Sequence, residues 1–292
     1  MISTEERVAE AHDLTQVLRR SGLQPLVLGG RTLLPIVQGG MGVGVSAHRL
    51  AGTVAGLGAV GTISSIDLRR HHPDLMELTR GIAPGPAGTA AAKRAIDDAN
   101  LVALEREIRA AQALSEGRGL LAINVMRAVN EYGPSATRAL ECGIDALVVG
   151  AGLPLDLPDL AVDHPRALLI PILSDARGVQ LLVRKWERKQ RVPDAIVLEN
   201  PGWAGGHLGA AKVADVGDSR FDFERVIPET LAYLRSAGLE GQVPVIAAGG
   251  LRTHADIRRM QSLGAAAVQF GTSFAVTEEC DAAEAFKHVL AD

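Results

Sequence analysis

The chain alternates between short apolar runs and longer stretches in which apolar residues recur at helical spacing. The runs are Leu34 to Gln38, Ala59 to Ser65, Leu120 to Val125, Asp145 to Val149, Ala167 to Leu173, Ala195 to Leu198, Val243 to Ala247 and Ala266 to Phe270. Each is too short for a buried helix and too continuously apolar for a strand with one wet face, so each reads as a strand covered on both sides. Helices are predicted between them over Ala47 to Leu57, Leu101 to Ser115, Pro134 to Cys142, Gly178 to Gln190, Glu224 to Ala237 and Ala255 to Gly264, and a last one over Glu278 to Leu290. Leu101, Leu104, Ile108, Ala111 and Leu114 share one helical face, and Leu181, Leu182 and Trp186 another; Arg184, Lys185, Arg188 and Lys189 form a solvated face. Thr253 is a predicted N-cap and Gly238 a helix stop. The charged N-terminus, residues 1–20, reads as an amphipathic helix.

Alternating β and α units imply a parallel sheet, and about eight of them in 292 residues favour an α/β TIM (β/α)8 barrel forming one domain over residues 1–292. An insertion follows the second strand, Asp67 to about Ala103; it carries His71, His72 and the run Ala83 to Gly88, and is predicted to be a lid or rim segment. Adjacent histidines point to different sides of an element, so His71 and His72 are a poor chelating pair. A competing pattern is Gly42-x-Gly44-x-x-Ala47 with Asp67 beyond the next strand, which imitates a dinucleotide fingerprint. It occurs once, and in a barrel the first strand's exit loop has its own reason to let backbone approach a bound ring.

Composition narrows the function. Net charge is −4 with both signs interspersed, which argues against a nucleic-acid partner. The two cysteines, Cys142 and Cys280, are far apart, read as small buried hydrophobes, lack metal-ligand spacing and fit a reducing compartment. No apolar run approaches the roughly 20 residues that span a bilayer, and the N-terminus lacks a secretory pattern; the expected location is the cytoplasm, with no membrane partner.

The candidate chemistry lies at strand C-termini. Gly249-Gly250 and Gly271-Thr272 follow the seventh and eighth strands, where barrels frequently bind phosphate on exposed amides. Gly40-Met41-Gly42 and Ala204-Gly205-Gly206 offer small surfaces for a flat ring. His207 is the one group in its loop that can move a proton near neutral pH. Asn124, near the end of the third strand, must be hydrogen-bonded, either bracing a loop or meeting a ligand. Trp203 walls a substrate pocket or packs on the barrel rim. A phosphate at strands seven and eight with a ring across the mouth describes FMN.

The chain resembles the nitronate monooxygenases, formerly called 2-nitropropane dioxygenases, and related flavin-dependent enoyl reductases. The resemblance rests on Pro35-Ile36 with Gly40-Met41-Gly42, Ala122-Ile123-Asn124, Ala204-Gly205-Gly206-His207-x-Gly209, Pro244 to Gly250, and Gln269-Phe270-Gly271-Thr272 with Thr277-Glu278. It implies non-covalent FMN lined by Met41, Gly42, Asn124, Gly205, Gly206, Gly249, Gly250, Gly271 and Thr272, with His207 as the catalytic residue. It implies oxidation of alkyl nitronates with O₂ to carbonyl compounds and nitrite. Two features depart from the family: Asn200-Pro201-Gly202-Trp203 stands where many relatives carry an acid, and the long Asp67 to Ala103 insertion with the helix after it looks more like the enoyl reductases. An FMN-dependent enoyl-thioester reductase, using NAD(P)H and an acyl-carrier protein, is therefore the alternative, ahead of a phosphate-binding barrel without flavin. Homo-oligomerisation is left open.

Overall fold

The computed structural model describes residues 14–82, 90–203, 205, 209–210 and 212–291. Helix α1 (Leu14–Ser21) leads into a hairpin, β1 (Leu26–Leu28) and β2 (Arg31–Leu33). The repeating units follow: β3 (Ile36–Gln38), α2 (His48–Gly56), β4 (Val60–Ser64), a 3-10 turn at Leu68–His71, α3 (Pro73–Leu78), α4 (Ala90–Ser115) and β5 (Leu120–Met126). Next come α5 (Tyr132–Glu141), β6 (Ala146–Gly150), α6 (Leu157–Leu160), β7 (Leu168–Leu173), α7 (Ala176–Glu187) and β8 (Ile196–Glu199). The chain ends with α8 (Phe223–Ser236), β9 (Val245–Ala248), α9 (His254–Ser262), β10 (Ala267–Phe270), α10 (Thr272–Ala275) and α11 (Glu284–Ala291).

Strands β3 to β10 close into a parallel barrel, β10 pairing with β3 through Val268↔Ile36 and Phe270↔Gln38. All eight predicted strands are barrel strands. Their alternation divides the core in two. Leu120, Ala122, Ala146, Val148, Ile170, Val197, Ile246 and Ala267 point inward, whereas Leu121, Ile123, Leu147, Leu169, Ile196, Val245 and Val268 pack under the helices. Gln38, fully buried, ties two strands together by accepting from the Thr62 N–H at 2.8 Å.

The hairpin was not predicted. Gly29 and Gly30 (φ +58° and +73°) make its two-residue turn, which needs positive φ at both positions. Its Leu26, Leu28 and Leu33 join the inward-facing cluster and plug the N-terminal end of the barrel, where Gly29 abuts Leu168. Arg31 Nη2 fixes the plug by pairing with Asp145 Oδ1 at 3.1 Å.

Two boundaries and one burial pattern need correction. The helix expected from Leu101 begins at Ala90, so the second part of the Asp67 to Ala103 insertion is its first turns; the Ala83 to Gly88 run lies outside the described residues. Leu114 and Leu181, expected inside, are exposed at 47% and 44%, while Leu104, Ile108, Leu182 and Trp186 are buried as expected. The final helix starts at Glu284 instead of Glu278, since Asp281 is engaged elsewhere. Its carboxylate accepts from the N–H groups of Ala47 (2.8 Å), Arg49 (3.1 Å) and Leu50 (3.2 Å), capping α2 from a distant part of the chain. Cys280 is buried and Cys142 partly so.

Candidate active site

A cleft of roughly 570 Å³ opens at the C-terminal face of the barrel. Nine predicted site residues line it: Gly40, Met41, Gly42, Trp203, Gly205, Gly249, Gly250, Gly271 and Thr272. They come from loops far apart in sequence that the closed sheet brings together, because strand ends β3, β8, β9 and β10 are neighbours around the barrel. The Gly42–Gly44 segment is thus the exit loop of the barrel's first strand and not part of a Rossmann domain.

The loop after β9 turns on Gly249 and Gly250, at φ +105° and +71°. Opposite them, Gly271 and Thr272 begin the short α10. No hydrogen bond among the described residues uses the amides of these four residues. Gly250 and Thr272 are exposed and Gly249 and Gly271 half-buried, so these amides are open to an anion. A side chain at Gly250 would meet the Trp203 ring at 3.0 Å, so Trp203 leans over this loop while remaining 67% exposed. Asn200 builds the turn that holds Trp203: its Oδ1 accepts from Gly202 N–H (2.9 Å), its carbonyl from Trp203 N–H (3.1 Å), and its own N–H donates to the Ala248 carbonyl (2.9 Å).

On the far side, the Met41 N–H donates to Ser46 Oγ at 2.6 Å, and the Ser46 N–H returns to the Met41 carbonyl at 3.0 Å, closing the loop on itself. Behind Gly40 stands Asn124. A Cβ added to Gly40 would lie 2.3 Å from the Asn124 Cβ, so the close approach requires glycine. Asn124 donates weakly to the Val148 carbonyl, at 3.5 Å. It braces the loop from beneath and does not line the cleft. His207, Ala204 and Gly206 lie outside the described residues.

Glu199, Gln269 and Arg252 also line the cleft and were not anticipated. Two of them carry a signal in the strand alternation: Val197 and Ala267 point inward, so Glu199 and Gln269, two residues on, also face the barrel interior at its mouth. Arg252 follows the glycine pair on the loop before α9 and brings a cation to that side of the cleft.

A buried ionic knot anchors the root of the Met41–Ser46 loop. Glu107, on α4, is 1% exposed. It accepts from the His48 N–H at 2.8 Å and from His48 Nδ1 at 2.7 Å. His72 Nε2 stands 2.9 Å from the other carboxylate oxygen, but off the line of a hydrogen bond. The bond to Glu107 holds the His48 ring above its usual pKa against the opposing effect of burial. Burial pushes Glu107 up, but the His48 bonds outweigh it and the carboxyl ends below its usual range. Among the described residues no group of three or more His, Cys, Asp or Glu side chains is placed to hold a metal, and no helix is long and apolar enough to cross a membrane.

The family model for nitronate monooxygenase matches residues 30–292. The chain belongs to the nitronate monooxygenase family. A probable nitronate monooxygenase of Bacillus subtilis is 27% identical over 261 residues, covering 85% of this chain and 67% of that protein. A nitronate monooxygenase of Pseudomonas aeruginosa is 37% identical over 97 residues, which is 33% of this chain and 25% of its own length. Among solved structures, FabK from Thermotoga maritima (TM-score 0.60) and a nitroalkane oxidase from Streptomyces ansochromogenes (TM-score 0.63) are each 18% identical. Both cover 94% of this chain, and 66% and 73% of their own chains respectively; at that identity they establish the shared barrel fold.

Proposed function

We propose that this chain is an FMN-dependent oxidoreductase that oxidises alkyl nitronates with O₂ to carbonyl compounds and nitrite. One observation carries the reading. Gly249, Gly250, Gly271 and Thr272, whose amides make no hydrogen bond among the described residues, line one cleft together with the side-chain-poor Gly40-Met41-Gly42. A dianionic phosphate and a flat ring fit those two sets of residues, and FMN combines them. Arg252 adds a countercharge near the phosphate end. When bound, the flavin supplies the electron acceptor for the nitronate and the donor for O₂.

The remaining work falls to the chain's own groups. Trp203 and the glycines hold the ring in place and exclude water from one face. His207 takes the α-proton of a neutral nitroalkane, or donates to the nitronate oxygens. Either role needs an imidazole within hydrogen-bond reach of the substrate. The family membership supports this choice of substrate, and the single domain, cytoplasmic location and small-molecule partners read from the sequence belong to the same proposal.

Anaerobic bleaching of the FMN-loaded protein tests it. Propyl-2-nitronate should bleach the flavin, nitrite should appear when air is admitted, and His207→Ala should lose both. Bleaching by NADH or NADPH alone would reject nitronate oxidation and assign an enoyl-thioester or quinone reductase.

A further inference from the structure

A second cavity, of roughly 350 Å³, lies beside the cleft on the same face of the barrel. The insertion builds one wall, α4 another, and the loop leading from β5 into α5 the third. Asp67, in a left-handed conformation (φ +51°), turns the chain there, and its carboxylate pairs with Arg69 at 3.0 Å and with Arg70. Arg69 is itself buried. Its guanidinium donates to Thr79 Oγ1 at 2.8 Å, and its N–H to Asn100 Oδ1 at 3.2 Å, so the insertion is locked onto α4.

Polar and charged residues outnumber apolar ones in its lining, but the surface that the lining exposes is more apolar than polar. Ile66, Ile96, Leu101, Met126 and Val129 are each half-buried, incompletely covered because they border the void. Three carboxylates, Asp67, Asp97 and Glu131, and two arginines, Arg69 and Arg70, also line it. Burial and then the neighbouring Glu131 charge push the Asp97 carboxyl up. The two cavities share a wall. A Cβ on Gly42, which lines the flavin cleft, would touch Ile66 Cβ at 3.5 Å, and Ile66 lines the second cavity.

We infer that this second cavity is the subsite for the substrate's uncharged carbon chain. Reacting carbons sit over Gly42 and an alkyl or aryl tail passes Ile66 to lie between Ile96, Leu101, Met126 and Val129. This rests on the flavin-oxidoreductase reading for its reaction, though not for its binding site. The volume suits more than a small alkyl group, since a cavity of about 150 Å³ already holds benzene.

Two measurements on the full chain decide it. The first is kcat/KM for nitronates of unbranched nitroalkanes from three to eight carbons. It should rise about fourfold per methylene until the cavity is filled, the factor expected for burying one CH₂ group. In Ile96→Trp and in Leu101→Trp the dependence on length should flatten. A slope that persists in both variants, or no slope in the wild type, overturns the subsite. The second is methyl NMR of the protein titrated with 1-octanol. Saturable shifts at Met126 and Ile96, lost in Leu101→Trp, support the subsite. Shifts that are absent, or that survive filling, overturn it. If no nitronate bleaches the flavin, the functional reading fails, while the octanol titration still decides the cavity.

Discussion

Replacing Glu107 by glutamine isolates the buried knot at the root of the cleft loop. The carboxylate accepts two bonds from His48 and faces His72 from a site 1% exposed. A glutamine can keep both His48 bonds on its one oxygen, but it loses the negative charge and turns an NH₂ toward His72 Nε2. Breaking a buried ion pair costs about 3–5 kcal/mol, but the His48 side chain is 35% exposed and water recovers part of that. A loss of about 2–3 kcal/mol follows, or roughly 4–12 °C in Tm at about 2–4 °C per kcal/mol. Its pH dependence is set by two opposite shifts. His48 is raised from 6.5, so its contribution is complete below that value and disappears as pH rises through the higher folded pKa. Glu107 is lowered from 4.5, so its contribution is present above that value and disappears as pH falls through the lower folded pKa. The difference between wild type and Glu107→Gln should therefore be largest between about pH 4.5 and 6.5 and shrink in alkali. Urea midpoints at matched m-values from pH 4 to 9 measure it. A difference that is flat across this range, or below about 1 kcal/mol, would refute the knot as a stabilising pair.

Three other outcomes follow from the geometry. Asp281→Ala removes a carboxylate that caps three amides at the start of α2 and should cost about 1–2 kcal/mol in chemical denaturation, with Asp281→Asn recovering part of it. Gly61→Ala would place a Cβ 1.9 Å from the Ala51 carbonyl oxygen, forcing α2 off β4; a loss of about 3 kcal/mol or more, seen as poor soluble yield and a lowered Tm, is expected. Gly249→Ala imposes a side chain on φ +105°, a strain of about 1–3 kcal/mol. The purified variant should keep its far-UV circular dichroism but weaken FMN binding at least tenfold by fluorescence titration.

Much of the barrel was legible because strands buried on both faces leave continuous apolar runs, and these alternate with helical periodicity along the whole chain. The hairpin escaped because its strands are only three residues each, although Gly29-Gly30 carries the turn signal. The first half of α4 escaped because AAAKRAIDDAN has no continuous apolar stripe; its burial there is limited to residues such as Ala99. The cleft's glycine loops were legible from strand-end position. Glu199 and Gln269 were not read as lining residues, although Gln269 stands in the Gln269-Phe270-Gly271-Thr272 motif and the inward alternation leads to both. The knot of His48, His72 and Glu107 had no local signature, since its members lie on three elements joined only by the closed fold.

Direct comparison of FMN with riboflavin is the sharpest test of the flavin cleft. The two ligands share the ring and differ in the phosphate, and quenching of flavin fluorescence on titration gives both Kd values. Amides at Gly249, Gly250, Gly271 and Thr272 predict that FMN binds at least about a hundredfold more tightly, the worth of two charge-assisted hydrogen bonds, and that Gly249→Ala narrows the gap. Equal affinity for the two, or no affinity for either, would contradict a phosphate held at these loops.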